Sequence, residues 1–412
     1  NDLNRYVRGT FDGQGHTVSG IRIYKGGTTD ADSYQGLFGL TSGATIRNVI
    51  LADARITGKQ YVGGIAGYNS TNAGTGGIVE NCRVGRDVTI HAVAEYARYH
   101  GGVVGDCNGG TISGCVSSAT LTVANGLTSI MYYGGIVGDL NGDLSDCLSI
   151  DASVPAVDVN GAIAGFVAPN RTLTNNYYYN CTVGGATTNV GIGGEQGNTT
   201  PHDRDGACSV HSLTLPTGVT ATGESVTIGT DTYYVRYTTI TLNIPTGYVM
   251  SSASYNDGTY HDITGNTFTM PAADVTVSAT LTDLWDITSD KDGTTAEKAY
   301  TITTTAGLDL LATLVNGGNN FDGKYFKLGA DITYTNTTDW NDATSTENNY
   351  TAIGGYVDGN WRDFCGTFDG QNHTVSGIRI YKGGTTDADT FQGLFGMTSG
   401  ATIRNVILAD AR

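Results

Sequence analysis

The chain has 412 residues, enough for two or three domains, and 39% of them are hydrophobic, enough to build cores. Sixty glycines against six prolines, set among Thr, Val, Ile and Tyr, describe many short strands joined by tight turns, not a disordered Pro/Gly segment. A net charge of −17 argues against a nucleic-acid partner, whose phosphates demand Lys and Arg, and no apolar run nears the ~20 residues of a membrane span, so no membrane insertion is expected within this segment.

The chain repeats itself across its length. Residues Gly9 to Arg55 return as Gly366 to Arg412, with differences only at Gly15/Asn372, Ser33/Thr390, Tyr34/Phe391 and Leu40/Met397. Such near-identity reads as one period plus a short overlap of a larger array. Stalks and multivalent binders gain length and avidity from such copies, whereas an enzyme seldom does.

From residue 36 to 165 a shorter pattern recurs: Gly36-Leu37-Phe38-Gly39, Gly64-Ile65-Ala66-Gly67, Gly102-Val103-Val104-Gly105, Gly135-Ile136-Val137-Gly138 and Ala162-Ile163-Ala164-Gly165. A second phrase follows each, from Ile46-Arg47-Asn48-Val49 to Leu173-Thr174-Asn175-Asn176, with Asn, Asp or Gly third, where a corner is expected. Spacing of about 27–38 residues with variable insertions predicts a solenoid whose coils stack ~4.8 Å apart. A propeller needs longer and more regular blades. The expected fold is all-β: parallel, right-handed β-helix segments joined by a small β module, with one short capping helix near 305–316.

These residues resemble the GLUG-motif family, whose Gly-Leu-x-Gly core stands here at Gly36–Gly39 and at Gly393-Leu394-Phe395-Gly396. The phrase at Gly9–Thr17 and Gly366–Thr374 looks like that family's opening coil. The resemblance covers roughly 1–195 and 290–412. It implies a scaffold found in large bacterial surface proteins, adhesins among them, and implies little about activity.

Further along, 196–208 reads as a linker and 209–282 as a small all-β spacer. The ending Met270-Pro271-Ala272-Ala273-Asp274-Val275-Thr276-Val277 resembles the closing strand of divergent internalin-type B repeats. A second linker spans 283–299, and 300–412 holds the capping helix and the first coils of the next β-helix. Leu308, Leu311, Leu314 and Val315 lie at helical spacing, with Thr304 or Thr305 as N-cap and Gly317 as stop.

Three groups of residues could carry chemistry. Val49, Cys82, Cys115, Cys147 and Asn176 hold equivalent places in successive coils and are expected to form an inward structural file; a file of thiols ~4.8 Å apart suits neither a disulfide nor tetrahedral zinc. Tyr61, Tyr99 and Tyr132 form a second file, read either as structural stacking or, with Tyr96 and Tyr133, as a groove in which sugar rings lie on tyrosine faces. Acidic turns at Asp30-Ala31-Asp32 and at Asp283, Asp286, Asp290 and Asp292 offer oxygen ligands, which would place Ca²⁺ in the 283–293 linker.

No catalytic residues are assigned, because no nucleophile elbow, zinc helix or phosphate loop is present. Arg83, Arg86 and Asp87 come nearest to a polysaccharide-active cluster. The expected function is a non-enzymatic repeat of a secreted, cell-surface bacterial protein, an adhesin or extended stalk. Its partners would be a glycan, a surface protein or neighbouring copies. A ligand-free extracellular filament and a β-helix polysaccharide-active enzyme are the alternatives.

Overall fold

Left-handed corners set the path of the chain. Asn48, Asn81, Gly114, Asp146 and Asn175, the third residues of the five phrases, have φ between +53° and +60°. Only glycine or a short polar side chain adopts that backbone without a steric penalty of roughly 1–2 kcal/mol. Each corner ends a short strand and starts the next, as Thr45–Arg47 turns into Ile50–Gly58 and Ile78–Glu80 into Arg83–Ala92.

The computed structural model describes residues 6–412 apart from 94–97, 126–129, 188–189, 199, 205, 288–289, 336–345 and 385. It is all-β with several parallel sheets, and among the described residues the α-helix Thr305–Asn316 stands alone. The chain divides into two compact units. One comprises Asn1–Thr214, Gly223–Ile240 and Phe268–Thr276; the other comprises Leu215–Thr222, Thr241–Thr267 and Val277–Arg412. The stretch 209–282, expected as one spacer module, thus contributes to both.

In the first unit successive periods add strands to three sheets whose stacked strands run parallel. One sheet runs Thr10–Asp12, Thr45–Arg47, Ile78–Glu80, Val104–Ser113, Val137–Ser145, Ala164–Val167, Ile192–Glu195. A second runs Val62–Gly63, His100–Gly101, Tyr132–Gly134, Val159–Gly161, and a third carries Thr17–Tyr24, Ile50–Gly58, Arg83–Ala92 and their successors. In the first of these sheets Phe11, Ile46, Val79, Ile112, Leu144 and Leu173 pair in sequence. From Ile46 onward these side chains are buried in one continuous core.

The closing glycines are a condition of that stacking. A Cβ on Gly67 would lie 2.7 Å from the carbonyl oxygen of Gly39, one on Gly105 2.5 Å from that of Gly67, and one on Gly138 2.6 Å from that of Gly105. Successive strands therefore approach through the space that any side chain would fill. Beyond the stack, the hairpin Ser225–Ile228/Asp231–Val235 pairs antiparallel with Ala207–Thr214.

The second unit builds its own core. Tyr300–Ile302, Tyr325–Leu328, Thr367–Asp369 and Thr402–Arg404 form one parallel sheet, and Ile332–Thr333, Thr374–Ser376 and Ile407–Ala409 another. The helix starts where Thr304 Oγ1 accepts the Gly307 N–H at 3.1 Å and ends at Gly317, whose N–H donates to Thr313 O. Its buried face of Leu308, Leu311, Ala312 and Val315 packs with Ile302, Phe326, Phe364 and Phe368; Leu314 is only partly buried. Full burial of each leucine stabilises by roughly 1.5–3 kcal/mol. Trp285 joins this core and donates from Nε1 to Gly307 O at 2.8 Å.

Candidate functional site

The aromatic side chains form a continuous file. Ring centroids are 4.7 Å apart between Tyr34 and Tyr61, 5.0 Å between Tyr61 and Tyr99, 5.5 Å between Tyr99 and Tyr132, and 4.9 Å between Tyr132 and Phe166. Tyr68 meets Tyr34 and Tyr61 edge-on. Tyr34 stacks on Tyr61 and Tyr132 on Phe166, whereas the Tyr61–Tyr99 and Tyr99–Tyr132 pairs are tilted by 31° and 51°. The file therefore has the mutual ring contacts of structural stacking, and Tyr34, Tyr61, Tyr99 and Tyr132 each stay partly exposed.

One of the expected groove residues falls elsewhere. Tyr133 is fully buried and packs on His100 at 4.7 Å, so it is a core residue and touches no groove. It alternates with Tyr132 along one strand, and alternation sends neighbours to opposite faces. Tyr96 lies outside the described residues.

Backbone strain accompanies the file. Tyr34, Tyr61 and Tyr99 have φ of +60°, +58° and +53°, as does Phe391, the counterpart of Tyr34, at +59°. Bulky residues rarely adopt this conformation.

Beside the rings runs a column that the sequence reading passed over. Leu40, Tyr68, Asp106, Asp139 and Phe166, each directly after a closing glycine, pair in register across five strands. Asp106 and Asp139 are therefore adjacent, on strands ~4.8 Å apart. Asp106 is only 8% exposed. Burial first, then the charge of Asp139, pushes its carboxyl up to about 8; burial pushes Asp139 up to about 6. Together they hold about one proton at neutral pH, as close carboxylates do. The phenols of Tyr61, Tyr68 and Tyr99 are also raised, chiefly by burial, with Asp106 contributing to each. Reading the residue after each closing glycine as its own column would have revealed the pair. A shared proton in a pair of which Asp106 is buried makes folding stability depend on pH.

The thiol file stacks as its spacing implied. Ile50, Arg83, Val116, Leu148 and Tyr177 pair in register, which aligns Val49, Cys82, Cys115, Cys147 and Asn176 one residue earlier. All five are buried to 1% exposure or less. Cys115 raises the Cys82 thiol and Cys147 raises that of Cys115, each by hydrogen bonding ahead of burial, so these thiols stay protonated. None of the seven cysteines is in a disulfide. Asn176 closes the file with every polar atom used: Nδ2 donates to Leu144 O and Gly206 O, and Oδ1 accepts from Cys147 N.

A different buried group is left short. His100 Nδ1 donates to Arg98 O at 2.8 Å, while Nε2 is buried with no hydrogen-bond partner. Burial lowers its pKa to about 3, so the ring is neutral.

The linker carboxylates do not converge. Asp283 accepts the N–H groups of Trp285 and Ile287, Asp286 pairs with Lys291, and Asp292 accepts from Thr294 N and Oγ1. Asp290 lies in the same loop. Asp32 is held likewise by Thr29 N and Oγ1. Among the described residues no three of His, Cys, Asp and Glu gather closely enough to hold a metal ion. Near Arg83 and Asp87, Arg86 pairs with Asp151 at 3.3 Å across an exposed surface, a contact of ~0–1 kcal/mol.

Among the described residues no helix is long and apolar enough to cross a membrane. No protein-family model, curated protein or solved structure matches the chain.

Proposed function

We propose that this chain is a non-enzymatic structural repeat of a large secreted bacterial surface protein, a β-helix scaffold of the GLUG type that extends and spaces adhesive surfaces. The observation that carries this reading is the set of continuous in-register columns (aliphatic, thiol and aromatic) whose members satisfy one another. Such columns supply shape and stiffness. Recurrence of residues 9–55 as 366–412 supports the same reading, because tandem copies multiply length and weak contacts. Partners would then be glycans, surface proteins or neighbouring copies, met outside the cell.

Electron microscopy of arrays of one, two and three 357-residue periods tests it; that period is the offset between Gly9 and Gly366. The reading expects particles that lengthen by a constant increment per copy, and no release of reducing ends from a polysaccharide panel. Particles that grow in all dimensions, or glycan cleavage, would overturn it.

A further inference from the structure

The duplicated segment appears in two settings within one molecule, and each copy displays what the other lacks. In the second unit, Phe368 and Val375 are fully buried and Ile378 is 2% exposed. Strand Tyr325–Leu328 pairs with Thr367–Asp369, Ile332–Thr333 pairs with Thr374–Ser376, and the helix face joins the same core. Their counterparts in the first unit are uncovered: Phe11 is 42% exposed, and Val18 and Ile21 are only partly buried. At the other side the roles reverse. Ile46 and Leu51 are fully buried by the strands Ile78–Glu80 and Arg83–Ala92, whereas Ile403 and Leu408 are 39% and 48% exposed.

Both copies nevertheless keep the same side-chain pairings. Arg47 and Asn48 bind Asp12 as Arg404 and Asn405 bind Asp369, and Arg22 pairs with Asp53 as Arg379 does with Asp410. The match even precedes the shared sequence, since Val7 bridges Thr41 as Phe364 bridges Thr398. The exposed edge at Thr10–Tyr24 is thus the same surface that the helix-bearing stretch covers elsewhere, with identical side chains from Thr17 to Tyr24.

We infer that the edge Thr10–Tyr24 is a docking surface for a helix-bearing segment with the sequence of 300–365, so that the structural repeat begins at the helix and runs through the duplicated segment into residues 56 onward. An uncovered parallel edge carrying apolar side chains invites strand pairing, and this occupant supplies both the strands and an apolar cover.

The test joins residues 283–365 directly to Gly9 of the chain, replacing residues 1–8, and follows amide hydrogen exchange. Peptides spanning Gly15 or Asn372 differ in mass and report the two copies separately. The inference expects protection at Thr17–Tyr24 to rise at least tenfold, to the level of Thr374–Tyr381, and expects Leu308→Asp with Leu311→Asp in the added segment to abolish the gain. Unchanged protection would overturn it. So would concentration-dependent protection of Thr17–Tyr24 in the original chain, which would make a second copy's edge the occupant.

Discussion

Replacing Asp106 with Asn should stabilise the protein at alkaline pH and leave it nearly unchanged in acid. The folded state raises the carboxyl from its ordinary 3.8 to about 8, so between those values it retains a proton that the unfolded chain has released. Stability therefore falls as pH rises from about 4 to about 8, then levels off. Each tenfold change in proton affinity is worth about 1.4 kcal/mol, which sets a ceiling of roughly 6 kcal/mol on the penalty removed by Asn. Relaxation around the pair lowers that figure, and a gain of about 2–5 kcal/mol at pH 8.5 is expected. Urea denaturation followed by tyrosine near-ultraviolet circular dichroism, at pH 4.5 and 8.5, measures the difference. A variant destabilised at pH 8.5, or shifted equally at both values, would refute the reasoning.

Tyr99→Ala removes ring contacts to Tyr61 and Tyr132 and should cost about 2–4 kcal/mol in the same assay, whereas Tyr99→Gly should recover about 1 kcal/mol of that loss because φ is +53°. His100 binds its proton only near pH 3 when folded, against 6.5 when unfolded, so it withdraws stability as pH falls from about 6.5 towards 3. His100→Gln should flatten that acid limb of a melting-temperature profile; an unchanged slope would place the acid sensitivity elsewhere. A thiol reagent at pH 8 should label Cys208 and Cys365 rapidly and the five buried cysteines only after unfolding. Fast labelling of Cys115 would contradict the buried file.

The stacking was legible in the sequence because its signals are local and periodic. Asn48, Asn81, Gly114, Asp146 and Asn175 mark corners by residue type alone, and the thiols occupy fixed offsets from them. The helix at Thr305–Asn316 was equally plain from its caps and apolar spacing. Asp106 and Asp139 escaped because an acidic residue just past a glycine reads as solvated; what buries it is non-local, the rings lying beside it on other strands. Tyr133 was misplaced by treating adjacent tyrosines as one surface, although a strand sends them to opposite faces. The 209–282 stretch resisted division because alternation identifies strands without saying which neighbour they pair with.

Single-molecule stretching of a multi-copy array tests most directly whether this chain is a mechanical element. The account predicts a regular series of unfolding events whose number rises in fixed proportion to the copies present. A featureless extension at low force, with no event that scales with copy number, would contradict it.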